Sequence, residues 1–238
     1  MSRLATFVTH LAVLIGLLIG LAPHPPARPV HPVSGLGYRP LTLDYRMNHV
    51  AVIGDSYTAG TDEGGLGSQS WTARALRKLA AHGVRIAADV AAEGRSGYGV
   101  PGDRGSVFED LTATAVKPDD ALVVFFGSRN DQGVEPGLLN ERARETFDLA
   151  RHRAPTARFL VIGPPWPTAD VPGAVLQIRD VLNVAARAAG AAFVDPIGDG
   201  WFVDRSDLIS VDGVHPNDLG HAYLADKITP LIRTQLLR

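Results

Sequence analysis

Ala-Leu-Val-Val-Phe-Phe, residues 121–126, is apolar at every position and runs straight into Gly127-Ser128-Arg129-Asn130-Asp131. A strand with one wet face alternates apolar and polar side chains, whereas a short unbroken apolar run suits a strand covered on both faces. Four more runs have this near-continuous character: His49–Ile53, Arg85–Ala91, Arg158–Ile162 and Ala191–Val194. Segments of helical spacing lie between them. Trp71, Ala75, Leu76, Leu79 and Ala80 share a helix face that ends before Gly83. Leu138, Ala143, Phe147, Leu149 and Ala150 mark a second helix after Pro136, and Val175, Ile178, Val181, Leu182 and Ala185 a third, closed by Gly190. A last helix is expected from Leu219 to Leu237, kinked or interrupted at Pro230. Strands alternating with helices predict an α/β fold, a five-stranded parallel sheet covered on both faces. Ligands of such sheets bind beyond the carboxyl ends of the strands, so the loops that follow each strand are where chemistry is sought.

Working outward, the 238 residues carry a net charge of −2 with 45% hydrophobic and 20% charged side chains, an ordinary globular balance. No basic surplus supports nucleic-acid binding. The chain has no cysteine, which removes disulfides, thiolate metal sites and thiol nucleophiles from consideration. Arg3 precedes an apolar run from Leu4 to Ala22, so residues 1–22 are expected to be a signal peptide or an N-terminal membrane anchor. Arg3 on the short side favours a cytoplasmic N-terminus, with the rest of the chain exported to the cell envelope or beyond. Six prolines between residues 23 and 40 make residues 23–47 a semi-extended linker, and residues 48–238 form the folded domain.

Four polar, glycine-bearing clusters stand where the fold puts chemistry. They are Gly54-Asp55-Ser56-Tyr57, the stretch Glu93-Gly94-Arg95-Ser96-Gly97-Tyr98-Gly99, Gly127-Ser128-Arg129-Asn130-Asp131, and Asp212-Gly213-Val214-His215-Pro216. Singly each reads as a turn or a cap. Together, in this order, they make the chain resemble the SGNH or GDSL-type family of serine esterases and lipases, over roughly residues 48–222. The resemblance implies a flavodoxin-like three-layer α/β/α sandwich. It matches Ser56 to the nucleophile, Asn130 to the asparagine of the third block, and Asp212 with His215 to the Asp-x-x-His of the last. The second-block glycine is open among Gly94, Gly97 and Gly99, and Gly97 is taken. Tyr57 replaces the leucine of the family's name, a tolerated position, and Arg129 stands beside Asn130, facing either solvent or a polar substrate.

These residue types suit acyl transfer. A serine hydroxyl needs a base within hydrogen-bond reach. His215 is the histidine set beside an acid in a short turn, and Asp212 would fix its tautomer. Activity should then rise with pH as the imidazole loses its proton. Oxyanion donors are expected from the N–H of Ser56, the N–H of Gly97 and the amide of Asn130. Gly54, Asp55 and Asp131 are expected in supporting roles, the two carboxylates through backbone hydrogen bonds. Trp166, Trp201 and Phe202 either wall the site or pack, and His221 is more a structural than a site residue.

The expected activity is hydrolysis of carboxylic esters, short acyl or carbohydrate O-acetyl, through an acyl-serine intermediate with no cofactor and no metal. The partner is a small-molecule or glycan ester, with no nucleic acid, and the membrane is met only through the N-terminal segment. Acyl transfer or thioester hydrolysis would use the same site. A metal-dependent phosphoesterase on Asp55, Asn130, Asp131, Asp212 and His215, or a non-catalytic envelope-anchored binding module, are the rivals from other classes.

Overall fold

The computed structural model describes residues 47–238, so the leader or anchor and the linker expected before them lie outside the described residues. Five strands, β1 (Asn48–Gly54), β2 (Ile86–Ala92), β3 (Asp120–Phe126), β4 (Arg158–Ile162) and β5 (Ala192–Val194), pair in parallel in the order β2-β1-β3-β4-β5. This is the doubly wound order in which the chain reverses direction between β1 and β3, opening a crevice at their carboxyl ends.

In the inner strands β1, β3 and β4 the apolar runs are explained by burial on both sides, while the edge strands β2 and β5 are only partly buried and Val90 is exposed. In β3, Leu122, Val124 and Phe126 face one layer while Val123 and Phe125 face the other. The first layer holds α2 (Trp71–Ala81) and α6 (Asp218–Leu236), whose Trp71, Ala75, Leu79, Leu224, Ala225 and Ile228 pack on Val50, Val52 and Leu160. The second layer holds α3 (Phe108–Ala115), α4 (Pro136–Arg153) and α5 (Gly173–Ala188). From it Phe108, Phe147 and Leu182 meet Ile53, Phe125 and Val161. A three-layer sandwich results, and it matches the expected fold class.

Side-chain caps start the helices. Ser70 Oγ accepts from the N–H of Ala73 at the head of α2, and Glu135 accepts from Leu138 N–H at the head of α4, where Pro136 occupies the first turn. Asn217 Oδ1 accepts from the N–H groups of Leu219 and Gly220 to open α6.

Two expectations need correction. Pro230 does not interrupt α6, which runs unbroken through it. Leu224, Ala225, Ile228 and Ile232 anchor the helix on both sides of the proline, and Thr229 Oγ1 donates to Ala225 O at 2.6 Å beside it. The helix α3 was not anticipated. Its Phe108, Leu111, Thr112 and Ala115 are buried at helical spacing, but eight residues with two threonines, just after a glycine-rich loop, give a weak apolar signal.

Candidate active site

The sheet register brings the first three clusters to one edge. Gly54 lies beside Ala92 on one side and Phe126 on the other, so the turns after β1, β2 and β3 begin level. Gly54 is glycine because it is crowded: a Cβ there would lie 2.3 Å from Thr58 Oγ1 and 3.2 Å from the Phe126 carbonyl. The chain then turns sharply into a four-residue helix, α1 (Ser56–Ala59), with Asp55 Oδ1 accepting from Tyr57 N–H at 2.9 Å. Ser56 thus sits at the head of a helix, 8% exposed, at the mouth of the crevice.

The fourth cluster lies on none of the five strands, and hydrogen bonds shape it. Asp212 Oδ1 accepts from the N–H groups of Val214 (2.8 Å) and His215 (2.9 Å), and Ser210 N–H donates to His215 O at 2.8 Å. Asn217 Nδ2 donates to Asp207 O at 2.9 Å. Ser210 Oγ donates to Glu63, which ties this loop to the one following α1. The outcome is a chain of three side chains. His215 Nε2 is 3.1 Å from Ser56 Oγ, and His215 Nδ1 is 2.5 Å from Asp212 Oδ2. A carboxylate only accepts, so Nδ1 carries the proton and Nε2 accepts from the serine hydroxyl. Partial burial works against the charge of Asp212, yet the N–H groups of His215 and Val214 and the imidazole outweigh it and hold the carboxyl below its usual range.

Asn130 joins them. Its Nδ2 donates to Ser96 O at 2.9 Å, its N–H to Ser128 Oγ, and Ser128 Oγ donates to the same Ser96 carbonyl at 3.0 Å, so the second and third clusters are locked together. One amide hydrogen of Asn130 remains for the cavity that Ser56, Asn130 and His215 line, an open space of about 650 Å³.

The glycines of the second cluster have different surroundings. Gly97 commits its N–H to Val100 O at 2.8 Å, and a Cβ there would lie 2.4 Å from Asp131 Oδ1. It is glycine so that the Asp131 carboxylate can pack on it. Gly94 follows Glu93, whose N–H donates to Gly54 O, so it runs alongside the turn that carries Ser56. Among the described residues its own N–H has no hydrogen-bond partner.

Asp55 and Asp131 act as braces. Asp131 accepts from the N–H groups of Tyr98 (3.0 Å) and Gly99 (2.8 Å). Burial pushes Asp55 up to about 7, against the opposing pull of the Tyr57 N–H and the Arg129 charge. Burial likewise pushes Asp131 up to about 6, against the N–H groups of Gly99, Tyr98 and Val100.

Sequence reasoning passed over Tyr57. Its hydroxyl donates to Val214 O at 2.5 Å, and its ring packs against Phe126, Phe202 and the His215 imidazole. The residue after the nucleophile therefore holds the residue before the base. A polar ring in a buried position was the available signal, because a buried tyrosine needs a partner for its hydroxyl. Trp201 and Phe202 belong to the core, and His221 is buried and structural, accepting from Trp71 N–H at 3.3 Å. Burial lowers its imidazole to about 4, so it stays neutral. Arg129 lines the cavity with its guanidinium 4.1 Å from the centre of the Trp166 ring. Among the described residues no three metal-ligating side chains converge.

Known proteins share this architecture. The model of the GDSL-like lipase/acylhydrolase family matches residues 52–223. A curated GDSL lipase of Mycobacterium tuberculosis is 69% identical over 240 residues, covering all of both chains. Among solved structures, TesA superposes with a TM-score of 0.64 at 23% identity, over 79% of this chain and all of its own. The carbohydrate acetylesterase Est24 of Sinorhizobium meliloti gives 0.57 at 17%, over 79% of this chain and 99% of its own. With a family model spanning the sheet and all four clusters, and a relative this similar from end to end, the chain belongs to the GDSL-like lipase/acylhydrolase family and is a serine esterase of that type.

Proposed function

We propose that Ser56, His215 and Asp212 form the catalytic triad and that the reaction passes through an acyl-serine. The observation that carries this is the continuous contact Ser56–His215–Asp212, at 3.1 and 2.5 Å, at the wall of one open cavity. As Ser56 Oγ bonds to the ester carbonyl carbon, its proton passes to His215 Nε2. The carbon–alkoxy bond then breaks, and the same proton leaves with the alcohol. Water repeats the sequence on the acyl-serine and frees the acid. Asp212 orients the ring and stabilises the imidazolium.

The developing oxyanion is received by the N–H of Ser56, which the first turn of α1 leaves unpaired, and the spare amide hydrogen of Asn130, with a backbone N–H of the second cluster, Gly97 in the sequence reading, as the third donor. The lining of the cavity is polar, with Arg95, Arg129, Asn130 and Gln132, and this supports short acyl esters or O-acetyl groups on carbohydrate over long lipid chains. Est24, a carbohydrate acetylesterase, shares the fold. The apolar segment before residue 23 supports export of the catalytic domain.

The test is hydrolysis of 4-nitrophenyl acetate and of an acetylated xylo-oligosaccharide by the wild type and by Ser56→Ala. Loss of both activities in the variant is the expected result. Retention of either at the wild-type rate overturns the assignment.

A further inference from the structure

Arg129 is the one feature of the cavity that hydrolysis of a neutral ester leaves without a task. Its guanidinium carbon lies over the Trp166 ring, 4.1 Å from the centroid. No carboxylate of the described residues comes within ion-pair distance of it, and its buried Nη1 has no hydrogen-bond partner. The other lining arginine, Arg95, differs on both counts. It is 83% exposed and lies 3.8 Å from Asp103, which also lines the cavity. Arg95 and Asp103 answer each other, whereas Arg129, beside Asn130 in the lining, has no such carboxylate next to it. The Tyr57 hydroxyl also feels this guanidinium, but it carries no charge to pair with it; a cavity-lining guanidinium without an ion pair is suited to an anionic oxygen group.

We propose that Arg129 is a specificity residue and that the preferred substrates are esters carrying a carboxylate or similar anionic oxygen group a few ångströms from the scissile carbonyl. The inference deepens the ester-hydrolase reading and rests on it. Binding an anion there pairs the guanidinium and leaves the Ser56–His215–Asp212 contacts as they are. The discrimination therefore belongs to recognition of the substrate.

The experiment compares matched pairs that differ only in charge. On the alcohol side the pair is 4-acetoxybenzoate and its methyl ester; on the acyl side it is the 4-nitrophenyl half-ester of adipate and its methyl ester. In the wild type at low salt, kcat/KM for the anionic member should exceed that for the neutral one about tenfold, equivalent to about 1.4 kcal/mol, in at least one pair. The ratio should shrink at 0.5 M salt. Arg129→Gln should bring it close to one, Arg129→Lys should retain part of it, and Arg95→Gln should leave it largely intact. A wild-type ratio of one or less in both pairs overturns the proposal without any variant, and so does an Arg129→Gln ratio equal to that of the wild type. Failure of the ester-hydrolase reading is a separate result: the neutral members would then be cleaved as fast by Ser56→Ala as by the wild type.

Discussion

Ser56 and His215 meet at 3.1 Å but reach that point by different physics. Ser56 stands on a turn that follows β1, an inner strand of the sheet flanked by β2 and β3, with Asp55, Tyr57 and Thr58 buried around it. His215 stands on a loop with no strand beneath it, shaped by the Asp212 carboxylate, by Ser210 and Asn217, and by the Tyr57 hydroxyl. Packing positions the nucleophile and hydrogen bonds position the base. Changes on the serine side should therefore remove chemistry outright. On the histidine side, activity should fall in steps as individual hydrogen bonds are lost.

The largest effects should come from the reacting groups. Ser56→Ala and His215→Ala are each expected to lower kcat by 10⁴ or more with the fold intact, measured by steady-state hydrolysis and circular dichroism. Asp212→Asn should come next, with a loss on the order of 10⁴ in kcat, because an amide can hold His215 in the wrong tautomer. If it costs less than tenfold, Asp212 does not orient the ring. Asn130→Ala should reduce kcat on the order of 10²–10³ with a small change in KM, as removal of one oxyanion donor does.

Tyr57→Phe sharpens the comparison, since it cuts one hydrogen bond between the two regions and keeps the ring packing. A loss of about tenfold in kcat is expected, with a stability change of about 1 kcal/mol in denaturant unfolding. An unchanged kcat would mean that the base loop holds its own shape.

The smallest effect is a pH dependence on the sheet side. Burial pushes the carboxyl of Asp55 up to about 7 in the folded chain, from its ordinary value of 3.8 when unfolded. The folded state therefore holds the extra proton between those values. The contribution of Asp55 to stability is fullest below about pH 4 and is lost as pH rises through 7. His221, lowered to about 4, works in the opposite direction, losing stability as pH falls toward 4. The difference between the wild type and Asp55→Asn isolates the first contribution. The melting temperature of Asp55→Asn should fall less, by a few degrees, between pH 4 and 7. Parallel profiles would show that the Asp55 proton is not held in the fold.

The same contrast explains what could be read in the sequence. Sheet and helices were legible because burial on two faces leaves unbroken apolar runs, and burial on one leaves a helical period. Ser56, Asn130, Asp212 and His215 were legible because their residue types recur in order at strand ends and in one turn. What escaped depends on contacts between distant segments. Tyr57 reaches across 157 positions to Val214, and only the folded chain reveals that its hydroxyl is used. Gly97 meets Val100 and the Asp131 carboxylate, contacts set by the loop and not by the residue type. Pro230 suggested a break, but the apolar face of α6 on either side of it holds the helix to the sheet.

Whether the two regions act as one device is tested most directly by labelling with a fluorophosphonate, followed by mass spectrometry of the digested protein. One adduct per chain is expected, on the peptide that contains Ser56, forming at least a hundredfold more slowly in His215→Ala. An adduct on another residue, or equal labelling rates in the wild type and His215→Ala, would contradict the account.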